Sequence, residues 1–235
     1  MKFSIIIPVF NEKKNISELV YQIKKYLNKY KYEIIIVDDS SNDGSQQVLN
    51  LLQKKYKNLK VIFRNHLPRD LSRSCKDGFE KSKYENIIVM DGDLQHNPMH
   101  IPEMIKSFGG ENIDFVIGIR DLKRKRVRGL SIFRQFLSIT IIKILDLIFK
   151  KKTDDPMSGF FLFKKKIYTQ NKKKLFLKGF KILADLIFIK KNFKTKDIKI
   201  KFNYRKKGKS KLNLKITLII IEFIFIRFFE NLFKK

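Results

Sequence analysis

Glu33-Ile34-Ile35-Ile36-Val37-Asp38-Asp39-Ser40-Ser41-Asn42-Asp43-Gly44 is an apolar run that stops abruptly in a cluster of acidic and turn-forming residues. Consecutive aliphatic side chains without polar alternation indicate a strand buried on both faces. The Asp, Ser, Asn and Gly that follow close it with a turn. The same unit recurs on either side. Phe3-Ser4-Ile5-Ile6-Ile7 reads as a strand that Pro8 ends, Val61-Ile62-Phe63 as a third, Ile87-Ile88-Val89-Met90 as a fourth and Phe115-Val116-Ile117-Gly118 as a fifth. Between them, Asn15 to Tyr30 carries Ile16, Leu19, Val20, Ile23 and Leu27 at helical spacing, and Ser45–Tyr56 and Leu71–Ser82 are helical as well. Buried strands alternating with helices specify an α/β fold with a mostly parallel central sheet covered by helices on both faces.

In such sheets ligands bind beyond the carboxyl ends of the strands. That rule points to Asn11-Glu12, Asp38-Asp39 and Asp91-Gly92-Asp93. Asp91 and Asp93 follow a buried strand directly, at a spacing that lets two carboxylates face one divalent ion. Gly92 admits a phosphate close to the backbone, and Gln95 adds a neutral oxygen. Oxygen ligands alone favour Mg2+ or Mn2+ over Zn2+. Other chemistries lack their residues. There is no Gly-x-Gly-x-x-Gly, no Walker loop before Gly208-Lys209 and no Gly-x-Ser-x-Gly elbow. His96 and His100 are spaced as a metal pair on a helix, but Pro98 between them makes that register doubtful. The single cysteine, Cys75, excludes an intramolecular disulfide framework and reads as a small core residue.

The 235 residues carry 52 Lys and Arg against 23 Asp and Glu, a net charge of +29. The excess is unevenly placed: residues 150–235 hold 26 basic and 6 acidic side chains, and 16 of the 22 Phe lie from Leu130 onward. Basic and aromatic residues together suit an anionic membrane surface or RNA. RNA is disfavoured, because there is no RRM-type aromatic signature and acidic strand ends would repel a phosphate backbone. Past Leu130 the alternation weakens into helices at Leu130–Phe149 and Ile182–Lys190, a strand-like Ile198–Phe202 and a last helix. Arg134, Lys143 and Asp146 interrupt the first of these, and Glu222 and Arg227 interrupt Ile216–Phe229. Neither reaches the roughly 18 uncharged apolar residues of a spanning segment, so both read as interfacial helices. The N-terminus lacks a signal-peptide core. Peripheral attachment at the cytoplasmic face of a membrane is the expectation.

Six blocks in order carry a resemblance: Ile6-Ile7-Pro8-Val9-Phe10-Asn11-Glu12; Glu33 to Gly44; Ser72-Arg73-Ser74-Cys75-Lys76-Asp77-Gly78-Phe79; Val89-Met90-Asp91-Gly92-Asp93-Leu94-Gln95-His96; Asp155-Pro156-Met157-Ser158-Gly159-Phe160; and Arg205-Lys206-Lys207-Gly208-Lys209-Ser210-Lys211-Leu212. Together they resemble glycosyltransferase family 2, and within it are most similar to the dolichol-phosphate mannosyltransferases.

The resemblance implies a GT-A-type nucleotide-sugar domain over residues 1–212, with a nucleotide-binding half at 1–120 and an acceptor half at 121–212. A C-terminal interfacial helix at 213–235 would follow. By position, Pro8, Phe10 and Glu12 would line the nucleotide pocket, Val37 and Asp39 would contact base and ribose, and Asp91, Gly92, Asp93 and Gln95 would hold metal and diphosphate. Arg120, Arg205 and Lys211 would bind phosphate, with Asp93, Arg120 and Arg205 nearest the chemistry. Arg134 and Ser138 would receive the lipid phosphate. The implied partners are a nucleotide sugar (GDP-mannose or UDP-glucose), a polyprenyl phosphate, a membrane surface and a small membrane-anchoring protein, with no nucleic acid. The implied reaction is inverting and metal-dependent. A family 2 transferase acting on a polysaccharide is a further alternative, for which Asp185 is the one defensible base. The chain departs from the family pattern at Phe10 (often Tyr), at Arg69-Asp70-Leu71-Ser72 (commonly glycine-rich), at Ile139 (Arg expected) and at Asp185 (usually Glu).

Overall fold

The computed structural model describes residues 1–65, 68–110, 112–120, 132–149, 152–179, 182–189, 192–204 and 214–232. Its strands are β1 (Lys2–Val9), β2 (Lys31–Asp38), β3 (Leu59–Phe63), β4 (Asn86–Val89), β5 (Phe115–Ile119), β6 (Phe161–Lys164) and β7 (Thr195–Lys199). The helices are α1 (Lys13–Tyr26), α2 (Ser45–Lys55), α3 (Leu71–Lys81), α4 (Ile101–Phe108), α5 (Ile132–Phe149), α6 (Lys165–Asn171), α7 (Ile182–Ile189) and α8 (Leu214–Leu232). One seven-stranded sheet runs in the order β3-β2-β1-β4-β6-β5-β7. All pairs are parallel except those of β6, which is antiparallel to β4 and β5. The α/β, mostly parallel reading therefore holds.

The unbroken aliphatic runs follow from burial on both faces. Ile5, Ile7, Ile34 and Ile36 point to one side, where they pack with Ile16, Leu19 and Ile23 of α1 and Met104 of α4. Ile6, Ile35 and Val37 point to the other, against Cys75 and Phe79 of α3 and Leu183 of α7. A Cβ at Gly78 would fall 2.4 Å from Ile6 Cγ2, so a residue larger than glycine would push α3 off β1. A third cluster joins Ile141 and Leu145 of α5, Ala184 of α7, and Ile220 and Phe223 of α8.

Two strand bounds shift and one strand is added. Pro8 does not end β1, which continues to Val9. Pairing with β4 stops at Ile6↔Val89, so Pro8 lies where β1 is paired with β2 alone. The short apolar run Phe161-Leu162-Phe163 becomes the antiparallel strand β6 in the middle of the sheet. The last strand begins earlier than Ile198, because the register with β5 pairs Phe115 with Thr195 and Ile119 with Lys199. His96 and His100 do not form a helical pair. His96 bridges to Phe202, and His100 lies in a short 3-10 turn, where its Nε2 accepts the Lys201 N–H at 3.1 Å.

Candidate active site

The carboxyl ends of β1, β2 and β4 lie side by side, and the loop after each contains a non-glycine residue in the left-handed region: Asn11 (φ 55°), Ser40 (φ 60°) and Leu94 (φ 64°). Each such residue costs on the order of 1–3 kcal/mol, so the surrounding contacts must hold it. Asn11 donates from its main chain to Ser41 Oγ at 2.8 Å and exchanges side-chain bonds with Asn42. The Glu12 and Lys13 main-chain N–H groups donate to Ser45 Oγ and Asp43 Oδ2. The loops after β1 and β2 are thereby fastened into one wall.

The two aspartates ending β2 differ. Asp38 is fully buried and caps its own turn, accepting from the Ser41 N–H and from Gln46. Asp39 faces a buried cation. Its Oδ1 lies 2.5 Å from Arg64 Nη1, and its Oδ2 accepts the Asp70 N–H at 2.6 Å. Burial raises the Asp39 pKa and Arg64 opposes that rise. Arg64 also bonds Asp77 through Nε and Ser74 Oγ through Nη1, so one guanidinium ties the ends of β2 and β3 to α3. Pro8 and Val37 are register partners at the strand ends, and the Val37 side chain is buried under α3. Phe10 lies half-buried with the Arg69 guanidinium 4.4 Å over its ring, and Glu12 is buried, accepting from Asn15 Nδ2 at 2.7 Å.

After β4, Asp91 keeps about a third of its side chain exposed, at 34%, while Asp93 is buried. Asp93 Oδ1 accepts the Gln95 N–H at 3.0 Å. Gln95 in turn donates from Nε2 to the Asn203 carbonyl and accepts the Asn203 N–H at its own carbonyl, anchoring this loop to the segment after β7. His96 is buried between the rings of Phe160 and Phe202 with Nδ1 3.4 Å from Asp91 Oδ2. Burial lowers its pKa to about 4, so the imidazole is neutral at physiological pH. A Cβ at Gly159 would fall 2.6 Å from Asp91 Oδ2, so glycine there leaves the carboxylate its room. A Cβ at Gly92 would likewise fall 2.7 Å from Val9 Cγ1.

Beyond β5, the fully buried Asp155 grips Arg120 with two oxygens, at 2.7 Å to Nε and 2.9 Å to Nη2. Burial disfavours the Arg120 charge, but Asp155 and Asp91 outweigh it and hold the guanidinium protonated. Ser158 donates to the Gly118 carbonyl at 2.7 Å, placing the loop that carries Gly159.

The fold therefore brings together Asp39, Asp91, Gly92, Asp93, Gln95 and Arg120 with the Pro8–Glu12 wall. Ser138 is on α5, partly buried. Arg205, Lys211 and the side chain of Arg134 lie outside the described residues. Arg64 was not singled out in the sequence, and Asp155 and Gly159 stood there only within a block of resemblance, with no role assigned. Arg64 does follow β3 directly, and a cation at a strand end beside Asp39 was a readable signal. Asp185 is held inside the fold. It is buried, ion-paired with Arg227, and accepts the Phe176 N–H at 2.7 Å.

Among the described residues, no three His, Cys, Asp or Glu side chains converge as a closed metal cage. Two carboxylates with Asp91 partly open, given room by Gly159, fit instead a hard divalent ion that keeps positions for ligand oxygens. No helix among the described residues is long and apolar enough to cross a membrane.

Comparison with known proteins identifies the family and the fold. The chain is 35% identical over 214 residues to a dolichol-phosphate mannosyltransferase of Pyrococcus furiosus, covering 90% of this chain and 59% of that protein. It is 31% identical to the Mycosarcoma maydis protein of the same name, covering 91% of this chain and 74% of that one. The chain thus spans less than two thirds of the archaeal relative. The fold is similar to that of glucosyl-3-phosphoglycerate synthase from Mycobacterium tuberculosis, solved with Mn2+ and uridine diphosphate. The TM-score is 0.70 at 13% identity, over 98% of this chain and 79% of that one. That is a GT-A-type architecture, in which a mostly parallel sheet carries an acidic loop at its carboxyl edge. The profile described as Glycosyl transferase family 2 matches residues 4–171, which span β1 to α6 and include Asp39, the Asp91–Gln95 loop, Arg120 and Asp155. The chain belongs to glycosyl transferase family 2.

Proposed function

We propose that this chain transfers a hexose from a nucleotide sugar to a polyprenyl phosphate at a membrane surface, with GDP-mannose as donor and inversion at C1. The observation that carries the reading is the partly exposed Asp91, with Asp93 two residues on, set beside the Asp155-held Arg120. That arrangement suits a diphosphate leaving group. The names of the relatives supply the class of acceptor. Residues 1–212 form the transferase domain in this reading, and 213–235 the interfacial segment.

A lipid phosphate monoester is already an oxyanion near neutral pH, so it needs no base to attack. Its oxygen bonds to C1 of the sugar as the bond from C1 to the nucleoside diphosphate breaks. The Asp39 carboxylate and the Phe10 ring form the walls for the nucleoside. Arg120, oriented by Asp155, counters charge growing on the diphosphate. Arg205 and Lys211 add cations there, and Arg134 with Ser138 take the acceptor phosphate. A Mg2+ or Mn2+ ion held by Asp91, Asp93 and Gln95 would supply further neutralisation of the leaving group. A polysaccharide acceptor would need a carboxylate base, and Asp185 is committed to Arg227.

Leu218, Ile221, Phe225, Phe228 and Phe229 recur at helical spacing and are exposed along α8, joined by Phe136 and Ile144 of α5. With the lysine-rich flanks, this face suits the interface of an anionic cytoplasmic leaflet or a small membrane-anchoring protein.

The test is transfer of labelled GDP-mannose and UDP-glucose, in parallel, to a short polyprenyl phosphate with Mg2+ or Mn2+. Lipid-linked mannose in the β configuration by NMR is expected. Product from UDP-glucose alone would move the assignment to a glucosyltransferase, and no lipid-linked product from either donor overturns it.

A further inference from the structure

Segment 174–179, between the 3-10 turn Lys172–Lys174 and α7, is clasped at both ends. On one side stands α8. Its Arg227 is buried, pairs with Asp185 of α7, and donates to the Lys174 carbonyl at 3.0 Å. Asp185 Oδ2 accepts the Phe176 and Leu177 N–H groups at 2.7 and 3.3 Å. Lys178 pairs with Glu222 of α8 at 2.7 Å, and the Phe176 ring packs on Phe223 at 5.6 Å. A Cβ at Gly179 would meet Ile219 of α8 at 2.9 Å.

On the other side stands the start of α3. The Gly179 N–H donates to Asp70 Oδ2 at 2.5 Å, and the Gly179 carbonyl accepts from the main chain and hydroxyl of Ser72 at 3.1 and 2.8 Å. Asp70 caps α3 with its other oxygen, accepting the Arg73 N–H at 3.1 Å. Its own main-chain N–H donates to Asp39, and its carbonyl accepts from Arg64. Leu177 (φ 50°) and Gly179 (φ 80°) are both left-handed, so the segment holds its shape only while both clasps are made.

We propose that segment 174–179 is a strut through which the C-terminal helix holds the nucleotide pocket, with Asp70 and Arg227 as positioning residues at its two ends. The proposal rests on the reading of Asp39 as part of that pocket. Asp39 is aimed by two donors, Arg64 and the Asp70 N–H. Asp70 is fixed in turn by Gly179, and Gly179 by the packing of α8. Side chains that touch no donor thereby set the orientation of one that does.

The experiment titrates GDP and UDP, with Mg2+, into the full chain by calorimetry. It compares the unmodified protein with Asp70→Asn, Ser72→Ala, Arg227→Lys and the Asp70→Asn/Arg227→Lys double variant, and records the thermal midpoint of each. Asp70→Asn keeps the helix cap but weakens the bond to Gly179. Ser72→Ala loses one hydroxyl and is a mild change if the others fold poorly. The expected result is a dissociation constant raised about threefold to thirtyfold in Asp70→Asn and Arg227→Lys, and less in Ser72→Ala. The double variant should show less than the product of the two single effects, because a strut broken once loses little by a second break. In turnover, KM for the nucleotide sugar should rise while KM for the lipid phosphate stays constant. A lowered thermal midpoint with unchanged nucleotide affinity overturns the proposal, and so do single effects that multiply fully. If the unmodified protein binds neither nucleotide, the reading of the pocket itself fails, an outcome distinct from equal binding by all variants.

Discussion

Asp91, Gly159, Arg120 and Asp155 show how closely the site depends on single atoms. Gly159→Ala would put a methyl carbon 2.6–2.8 Å from the two Asp91 oxygens, too close for both to stay where they are. The expected outcome is a folded protein with at least tenfold weaker Mn2+ binding in the presence of nucleoside diphosphate, read by calorimetry; unchanged affinity would mean that Asp91 does not ligate. Asp155→Asn takes from the largely buried Arg120 guanidinium its bidentate counter-charge and leaves Asp91 as the remaining one. Breaking a buried pair this way costs about 3–5 kcal/mol, so both the denaturation midpoint and transfer should fall. Asp91 and Asp93 were legible in the sequence because an acidic pair directly after a buried run has few structural reasons to exist. The partnership of Arg120 with Asp155 was not, since 35 residues separate them and only the pairing of β5 with β6 brings their loops together.

At the scale of elements, α8 has one buried and one exposed apolar face. Ile220, Phe223 and Arg227 face α5 and α7 and are buried, whereas Ile221 and Phe225 point outward with 57% and 63% exposure. Deleting the helix would uncover a core cluster and leave Asp185 unpaired, so loss of vesicle binding after deletion would not separate anchoring from folding. Ile221→Glu with Phe225→Glu is the cleaner change. Vesicle co-sedimentation should drop sharply while the thermal midpoint stays within a few degrees; retained binding would move attachment to α5 or to the charge alone. Within the sheet, Glu33 joins β1, β3 and the loop that leads into β4. It accepts from Ser4 Oγ at 2.7 Å and from the Lys83 N–H at 2.5 Å, and it pairs with Lys60 at 3.0 Å. Burial alone would raise its pKa, but these partners hold it below the ordinary 4.5. A depressed carboxylate stabilises the fold above its unfolded-state pKa, and that contribution disappears as pH falls through the lower folded value. Glu33→Gln should therefore cost about 1–3 kcal/mol near neutrality and flatten the acid limb of a pH–stability curve.

For the whole molecule, the +29 charge and its concentration after Lys150 are what the proposed attachment to an anionic surface would draw on. Binding to anionic vesicles should weaken steeply between about 0.1 and 0.5 M salt, as the screening length shrinks. Any residual salt-insensitive part should be the part lost in the α8 double variant. The strand ends nevertheless keep carboxylates in this cationic protein.

The sequence by itself determined the α/β architecture, the edge of the sheet where the site lies, and the acidic loop after β4. Those rest on local patterning: runs buried on two faces, helical spacing, and the chain reversals after each strand. Only the tertiary structure decided that Asp39 answers to Arg64, that Arg120 answers to Asp155, that Asp185 forms an internal ion pair with Arg227, and that β6 lies antiparallel in the middle of the sheet. Each of those is a pairing across many residues. The energy that selects it comes from burying two charges or two strands together, and no local run of residues carries that information.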